Sequence, residues 1–225
     1  MIARVLDKAN NRLILLGYKN EKELSDLQAK IKCESHTFLC DLSNFSSVKK
    51  LFDEIISKFN KIDVLISAVG VNKINLVQDV SEKEFDYIMN SNFKSNFNIT
   101  KCAIKNMITN KYGKITYISS MWGKVGASCE SVYSASKGAL NTFALSLAKE
   151  LGPSNINVNV VCPGLIDTKM NNNLSPDAVK EVVSSTPLNR IGKPVDCANL
   201  VEFLISEKAS FITGQIITID GGFSL

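Results

Sequence analysis

Short apolar runs alternate with stretches of helical spacing along this chain of 225 residues. The apolar runs predict strands because each is brief and ends at polar or glycine residues. These runs are residues 12–16, 37–40, 62–67, 114–119, 157–161 and 215–219. Apolar positions three and four apart predict helices over 21–31, 44–59, 81–110, 132–151 and 194–206, with one more helical segment inside a polar loop at 164–190. Continuous apolar strands between helices indicate one α/β domain with a doubly wound parallel sheet.

The helix predicted over residues 81–110 has a marked start. Ser81 can cap it, and Glu84 stands at the position that completes a capping box. Because this stretch is long, we expect a bend within it.

Composition places the chain among soluble globular proteins. Hydrophobic residues make up 45% of the chain and charged residues 21%. The net charge of +4 is small and scattered, which speaks against a nucleic-acid partner. No apolar run approaches the roughly 20 residues that a membrane span needs, and the charged residues within 1–8 are unlike a signal peptide. We therefore expect a cytoplasmic protein with no nucleic-acid and no membrane partner.

The metal-ligating residue types show no pattern typical of a metal site. The six cysteines have no Cys-x-x-Cys spacing, so we expect reduced thiols and neither a disulfide framework nor a zinc site. His36, the one histidine, lies at the start of a predicted strand, and we interpret it as structural.

The strongest candidate for chemistry is Tyr133 with Lys137 and Ser120. Positions four apart share a helix face, so the phenol and the ammonium are expected side by side, with the serine facing them from the end of a strand. A neighbouring cation favours the phenolate, so we expect a lowered pKa for Tyr133 and proton exchange with a carbonyl or an alcohol. Ser120 could donate a hydrogen bond to the developing oxyanion. A tyrosine and a lysine four apart also arise by chance, so the pair alone is weak support.

Further candidates fall at the carboxyl ends of predicted strands, where parallel sheets bind their ligands. They are Asp41, Ala68 to Gly70, Ser119 and Ser120, and Pro163 with Gly164.

From residue 1 to residue 225 the chain resembles the short-chain dehydrogenase/reductases, in particular the 3-oxoacyl-acyl-carrier-protein reductases. This family has a Rossmann-like fold. The matching motifs are Asp41-Leu42, Ser67-Ala-Val-Gly70, Asn90-Ser-Asn92, Ser120, Tyr133 with Lys137, Cys162-Pro-Gly-Leu-Ile-Asp-Thr168, the segment 187–194 and the segment 212–222.

The resemblance implies a catalytic tetrad. Tyr133 would protonate the carbonyl oxygen, and Ser120 would polarise that carbonyl in the substrate. Lys137 would bind the ribose hydroxyls and lower the pKa of Tyr133. Asn92 would hold a water that feeds protons to Lys137, although a polar helix residue bonded to backbone is the plainer interpretation of Asn92 alone.

The resemblance also implies a nicotinamide cofactor. Asp41 would hold the adenine amine, and the motif from Pro163 to Thr168 would flank the nicotinamide. The strand ending near Gly17 is followed by Tyr18-Lys19-Asn20, with no acidic residue at the strand end, which favours NADP over NAD; a solvated loop lysine is the alternative. The cofactor-binding residues expected are Lys19, Asp41, Leu42, Ala68, Val69, Gly70, Tyr133, Lys137, Pro163, Gly164, Ile166 and Thr168.

Two departures from the family pattern stand out. Ser67-Ala68-Val69 lacks the usual side-chain amides but keeps Gly70. The opening strand and the Gly-x-x-x-Gly-x-Gly turn that cradles the pyrophosphate are missing. By comparison with the family we expect a chain shortened by roughly eighteen residues, with a central strand missing between the strands near residues 14 and 64 and two strand edges left unpaired.

Three functions remain open at this level. The first is reduction of a 3-oxoacyl thioester on acyl carrier protein with NADPH. The second is reduction of a 5-aminopentanone group on modified elongation factor P, since Met121-Trp-Gly and Ser128-Cys-Glu130 resemble such reductases. There Glu130 would attract the amine, with a solvated loop glutamate as the alternative. The third is a non-catalytic oligomeric remnant. The resemblance implies a homotetramer or homodimer built on the helices at 81–110 and 132–151.

Overall fold

The computed structural model describes residues 1–171 and 174–225, and its strands are all parallel. They are β1 (Arg12–Gly17), β2 (Glu34–Leu39), β3 (Val64–Ser67), β4 (Gly113–Ile118), β5 (Ile156–Pro163) and β6 (Ile216–Ile219). Helices separate successive strands, so the predicted α/β class is confirmed.

The helices of the described residues follow the predicted order. They are α1 (Ile2–Val5), α2 (Glu21–Gln28), α3 (Phe45–Phe59), α4 (Glu82–Met89), α5 (Ser95–Asn110), α6 (Trp122–Val125), α7 (Ser131–Leu151), α8 (Pro176–Ser184) and α9 (Pro194–Ile205). The capping box of Ser81 and Glu84 at the start of α4 is confirmed. So is the irregularity expected within 81–110: one turn of π-helix, Asn90–Lys94, joins α4 to α5.

Helices cover both faces of the larger sheet. Leu65, Ile115 and Val158 face one side, where they pack in one core with residues of α3, α5 and α7. Val161 faces the other side, where residues of α9 and Ile2 of α1 cover it. Alternate strand residues thus serve two separate cores, which is why the strands read as continuous apolar runs.

The strands form two sheets rather than one. In the first, β1 pairs with β2; in the second the order is β3-β4-β5-β6. Among the described residues, β1 and β3 each have one edge without a strand partner, as predicted for the strands near residues 14 and 64. The two sheets are joined by packing, since Ile14 and Leu16 of β1 touch the core that contains Leu65 of β3.

The two sheets point their carboxyl ends to the same side. Lys169, after β5, forms an ion pair of 2.6 Å with Glu23 in the helix that follows β1. At the opposite end, the guanidinium of Arg12 lies 5.0 Å from the ring centre of Phe59, which ends the helix before β3. The strand-end candidates therefore share one edge of the molecule.

Several predicted boundaries were wrong by a few residues. β2 begins at Glu34 rather than at residue 37, because its first residues pair with β1 although they are polar, and His36 consequently lies inside the strand. β3 begins at Val64 because the amide of Ile62 donates to Asn106 Oδ1 at 2.9 Å instead of joining the sheet. The short helix α6 was not predicted. The six cysteines are free thiols. Within the part of the chain that the structure describes, no helix has the length and apolar composition needed to cross a membrane.

Candidate active site

The end of β4 and the first turns of α7 bring Ser120 and Tyr133 together. Each residue is only 7% exposed, and the Ser120 hydroxyl lies close enough to the Tyr133 phenol to act on its pKa. The amide of Trp122 donates to Ser120 Oγ at 3.2 Å, which fixes the serine at the start of α6. A buried phenol beside a hydroxyl can hold and protonate a carbonyl oxygen.

The pKa of Tyr133 lies above its ordinary value, and the prediction of a lowered pKa was wrong for the protein without its cofactor. Burial is the largest cause because it disfavours the phenolate. The neighbouring Ser120 hydroxyl works in the opposite direction, while the negative charge of Glu130, and that of Cys162 once its thiol is ionised, raise the pKa further. Lys137 lies 5.8 Å from the centre of the Tyr133 ring, too far in this arrangement to outweigh burial.

The Lys137 ammonium is buried among backbone carbonyls. The side chain is 3% exposed, and its Nζ donates to the carbonyl of Ile118 at 3.0 Å and to that of Val69 at 3.5 Å. Burial lowers its pKa from 10.5 to about 8. A lysine with this pKa can exchange a proton near neutral pH.

Asn92 ties the π-helical turn to the segment after β3. Its Oδ1 accepts from the Val71 amide at 2.7 Å, and its Nδ2 donates to the Val71 carbonyl at 2.9 Å and to Ser136 Oγ at 2.9 Å. Both amide protons are therefore used, whereas Oδ1 keeps a second lone pair for another donor. Asn92 is fully buried, and its bonds hold the turn against α7.

Gly70 lies against the end of the Lys137 side chain. A Cβ at this residue would lie 3.0 Å from Lys137 Nζ and 3.5 Å from Asn92 Oδ1. The two residues before it, Ala68 and Val69, are exposed and half-buried respectively. The backbone from Ala68 to Gly70 thus passes close to the ammonium of Lys137.

The motif from Pro163 to Thr168 lies on the other side of Ser120. The amide of Met121 donates to the Pro163 carbonyl at 2.9 Å, and the amide of Gly164 donates to the Ile219 carbonyl at 3.0 Å. Ile166 is buried and forms a β-bridge with Gly192, while Thr168 is half-buried and begins a turn in which its carbonyl accepts from the amide of Asn171. The motif is therefore hydrogen-bonded to the residue that follows Ser120.

The remaining candidates lie at the carboxyl ends of the two-stranded sheet. Asp41 Oδ1 accepts from the amide and the hydroxyl of Ser43, at 2.9 and 2.7 Å. The carbonyl of Leu42 accepts from Asn98 at 2.9 Å, which links this loop to α5. Lys19 is exposed, with its ammonium 4.9 Å from the ring centre of Tyr18.

Glu130 precedes the first residue of α7 and is half-buried. Its Oε2 accepts from Asn72 Nδ2 at 2.8 Å. Burial raises the pKa of Glu130, and the bond from Asn72 opposes that rise.

Sequence reasoning missed Asn72 and Ser136, which hold Glu130 and Asn92 in place. They lie 58 and 44 residues from these partners, so no local spacing reveals them. In the described ranges, 1–171 and 174–225, no group of three or more metal-ligating side chains could hold an ion.

The residues present fit the nicotinamide-ribose half of a dinucleotide. Gly70, which has no side chain, lies beside the Lys137 ammonium, and the carbonyl of Pro163 accepts from the residue that follows Ser120. The fit is incomplete for the pyrophosphate, because the 225 residues contain no Gly-x-x-x-Gly-x-Gly turn.

Comparison with known proteins supports this picture. A family model described as enoyl-(acyl carrier protein) reductase matches residues 1–224. An uncharacterized oxidoreductase YmfI of Bacillus subtilis is 35% identical over 226 residues, covering 99% of this chain and 92% of that protein. The 3-oxoacyl-[acyl-carrier-protein] reductase FabG of Rickettsia felis is 37% identical over 221 residues, covering 98% of this chain and 90% of the relative. FabG of Buchnera aphidicola subsp. Baizongia pistaciae is 34% identical over 221 residues, with the same two coverages.

Proposed function

Because the chain belongs to the short-chain dehydrogenase/reductase family, we propose that it reduces 3-oxoacyl thioesters of acyl carrier protein with NADPH. It is an oxidoreductase that acts on carbonyl or hydroxyl groups. The observation that carries carbonyl reduction is the buried position of Ser120 beside Tyr133, with Lys137 on the same helix, and the similarity to the 3-oxoacyl-[acyl-carrier-protein] reductases supports the thioester substrate.

Each of the four site residues has a separate role in the proposed reduction. The bound nicotinamide supplies the hydride. Ser120 donates to the carbonyl oxygen, and Tyr133, which burial keeps protonated, transfers its proton to that oxygen. Lys137, with a pKa of about 8, would hold the ribose hydroxyls of the bound cofactor and return a proton to the tyrosine. Asn92 offers its free lone pair to a water on the path to Lys137.

The preference for NADPH rests on Lys19. This exposed ammonium has no carboxylate within 4.0 Å among the described residues, and no acidic residue follows β1 before it. A 2′-phosphate would pair with Lys19, whereas a free 2′-hydroxyl is normally held by an acidic residue at this point. Asp41 and Leu42 would border the adenine, and Ala68, Val69, Gly70, Pro163, Gly164, Ile166 and Thr168 would border the rest of the cofactor.

The second substrate class is a ketone that carries an amine, such as an aminopentanone group. The observation that favours it is Glu130, a half-buried carboxylate beside the start of α7 with no ion-pair partner in the described part of the chain. The nearby Lys73 is paired with Glu84 at 3.8 Å instead. A cationic substrate would therefore find an uncompensated negative charge.

We also propose a homotetramer or homodimer. Phe85, Phe97 and Ile108 on α4 and α5 expose 40–47% of their surface. Exposed large apolar side chains on one helical stretch mark a self-association surface. Light scattering after gel filtration tests this, and a monomer at all concentrations would contradict it.

The test of function is NADPH consumption with product identification. We would supply acetoacetyl-pantetheine and acetoacetyl-acyl carrier protein, with NADPH raised to millimolar concentration so that weak cofactor binding does not hide turnover. The proposal predicts a 3-hydroxyacyl product and a higher kcat/KM on the carrier protein. Consumption with an amine-bearing ketone but with neither thioester would transfer the assignment to the second class.

A further inference from the structure

Trp122, the first residue of α6, touches both the candidate active site and the segment that follows β6. Its amide donates to Ser120 Oγ at 3.2 Å. Its ring centre lies 5.7 Å from that of Phe223, and the two ring planes meet at 82°. This is the edge-to-face arrangement that aromatic pairs prefer. Phe223 is therefore one contact away from the residue that is bonded to Ser120.

The segment that carries Phe223 is held in one conformation. The Asp220 carboxylate accepts from the amide of Gly222 at 2.9 Å, and from the amide and the hydroxyl of Ser224 at 2.9 and 2.6 Å. Gly222 has a φ of 92°, which a residue without a side chain adopts readily. A Cβ at Gly222 would lie 2.9 Å from Pro187 Cγ, so the turn packs closely on its neighbour. The ring of Phe223 is thus presented to Trp122 by an ordered turn.

The rest of α6 is held by other contacts. Asn141 Nδ2 donates to the carbonyl of Gly123 at 3.0 Å, which ties α6 to α7. Lys124 Nζ donates to Thr218 Oγ1 at 2.7 Å, which ties α6 to β6. These contacts hold the residues after Trp122, whereas the Trp122 ring itself meets Phe223.

We infer that Phe223, acting through Trp122, is a positioning residue for the Ser120 hydroxyl. The Trp122 amide takes one lone pair of Ser120 Oγ, and the hydroxyl keeps its proton to donate. Because the oxygen accepts on one side, the directions in which its proton can point are limited. The inference rests on the proposed role of Ser120 in carbonyl reduction and adds the residue that orients it.

The bond from Trp122 to Ser120 is sensitive to small movements. Its length of 3.2 Å is at the long end of the range for N–H···O bonds, so a further shift of the amide weakens it steeply. Removal of the Phe223 ring would leave the half-buried indole of Trp122 without its edge contact. The start of α6 would then relax, and the Ser120 hydroxyl would lose its fixed orientation.

The first measurement needs no turnover. Trp122 is the single tryptophan, so protein made with nitrogen-15-labelled tryptophan gives one backbone amide signal in NMR. Phe223→Ala and Ser120→Ala should each speed the hydrogen exchange of this amide about tenfold, the scale of one hydrogen bond. In the Ser120→Ala background, Phe223→Ala should add nothing. Leu225→Ala, at a fully exposed residue of the same segment, is the matched control and should leave the exchange unchanged.

The second measurement is the reduction of acetoacetyl-acyl carrier protein by NADPH. Phe223→Ala should lower kcat roughly tenfold, since a misplacement of about 1 Å can cost ~100-fold, and should leave the KM for NADPH close to that of the parent. The same change should have no effect on kcat once Ser120 is alanine. Phe223→Tyr keeps the ring and should match the parent. Phe223→Leu takes the place of the alanine variant if a thermal melt shows that the latter does not fold.

Unchanged amide exchange in the Phe223 variant would overturn the inference. So would an effect on kcat that is equally large with and without the Ser120 hydroxyl, or a loss in Leu225→Ala as large as that in Phe223→Ala. A parent protein that reduces no ketone would refute the proposed function alone, because the exchange rates of the single and double variants would still decide whether Phe223 holds the Trp122 amide on Ser120.

Discussion

The ammonium of Lys137 lies 3.0 Å from the point where a side chain on residue 70 would begin. The backbone of Gly70 is therefore in contact with the end of the Lys137 side chain. An alanine methyl group at residue 70 would displace that flexible end by a few tenths of an ångström.

We predict that Gly70→Ala lowers kcat while thermal stability stays close to that of the parent. The reason is that the lysine end moves whereas the core does not. Gly152→Ala is the matched control, because a Cβ there meets no atom within 4 Å. Steady-state kinetics and a thermal melt would check this. An unchanged kcat in Gly70→Ala would mean that the contact between residue 70 and Lys137 does not affect turnover.

Lys137→Met should change how stability depends on pH. Since one pKa unit corresponds to about 1.4 kcal/mol, the fall from 10.5 to about 8 costs the parent up to about 3 kcal/mol below pH 8, where the buried amine must stay charged. Between pH 8 and 10.5 the unfolded chain binds more protons than the folded one, so the stability of the parent rises with pH. The advantage of the methionine variant should shrink across this window.

Urea unfolding at a series of pH values measures that advantage. Lys149→Met, on the exposed far end of the same helix, should show no such trend. A difference between parent and Lys137→Met that stays constant from pH 7 to 10.5 would mean that Lys137 is not buried as an amine.

Glu130→Gln should change the choice between substrates. We expect a lower kcat/KM for an amine-bearing ketone and little change for a neutral 3-oxoacyl thioester, because only the first loses an attractive charge. The contact is worth about 0.2–1 kcal/mol at a partly exposed site. The ratio of the two kcat/KM values is the readout, since a general effect on Tyr133 cancels in it. An unchanged ratio would leave Glu130 without a role in selecting the substrate.

Residues 1–225 should bind NADPH weakly. The unpaired edges of β1 and β3 and the missing Gly-x-x-x-Gly-x-Gly turn leave the pyrophosphate without its cradle. An added apolar strand followed by such a turn before Met1 should tighten binding by orders of magnitude. Fluorescence of Trp122, the single tryptophan, reports the titration.

The control carries the same strand with its turn glycines replaced by valine, so that strand pairing and phosphate binding are separated. Micromolar or tighter binding by residues 1–225 alone would contradict the prediction. No binding by any of the three proteins would favour the non-catalytic remnant.

The sequence pattern predicted the features of the fold and the site that depend on residues close together in the chain. The spacing of Tyr133 and Lys137 and the serine after β4 predicted residues that the structure brings together, and the apolar runs predicted the order of strands. The direction of the Tyr133 pKa was mispredicted because burial depends on the packing of β4, β5 and α7 together, which spacing does not show.

Long-range partners escaped prediction for a similar reason. Asn72 reaches Glu130 across 58 residues, and polar residues such as Glu34 joined β2 because β1 offered a partner strand. Neither leaves a periodic trace in the sequence.

The most direct test of the account is the turnover of Tyr133→Phe, which keeps the ring and removes the transferable proton. With NADPH and acetoacetyl-acyl carrier protein at saturation, we predict a kcat at least ~100-fold below that of the parent, the usual scale of general acid catalysis. Tyr87→Phe, at an exposed tyrosine on α4, should match the parent. A Tyr133→Phe variant that reduces the thioester at a near-parental rate would contradict the central claim.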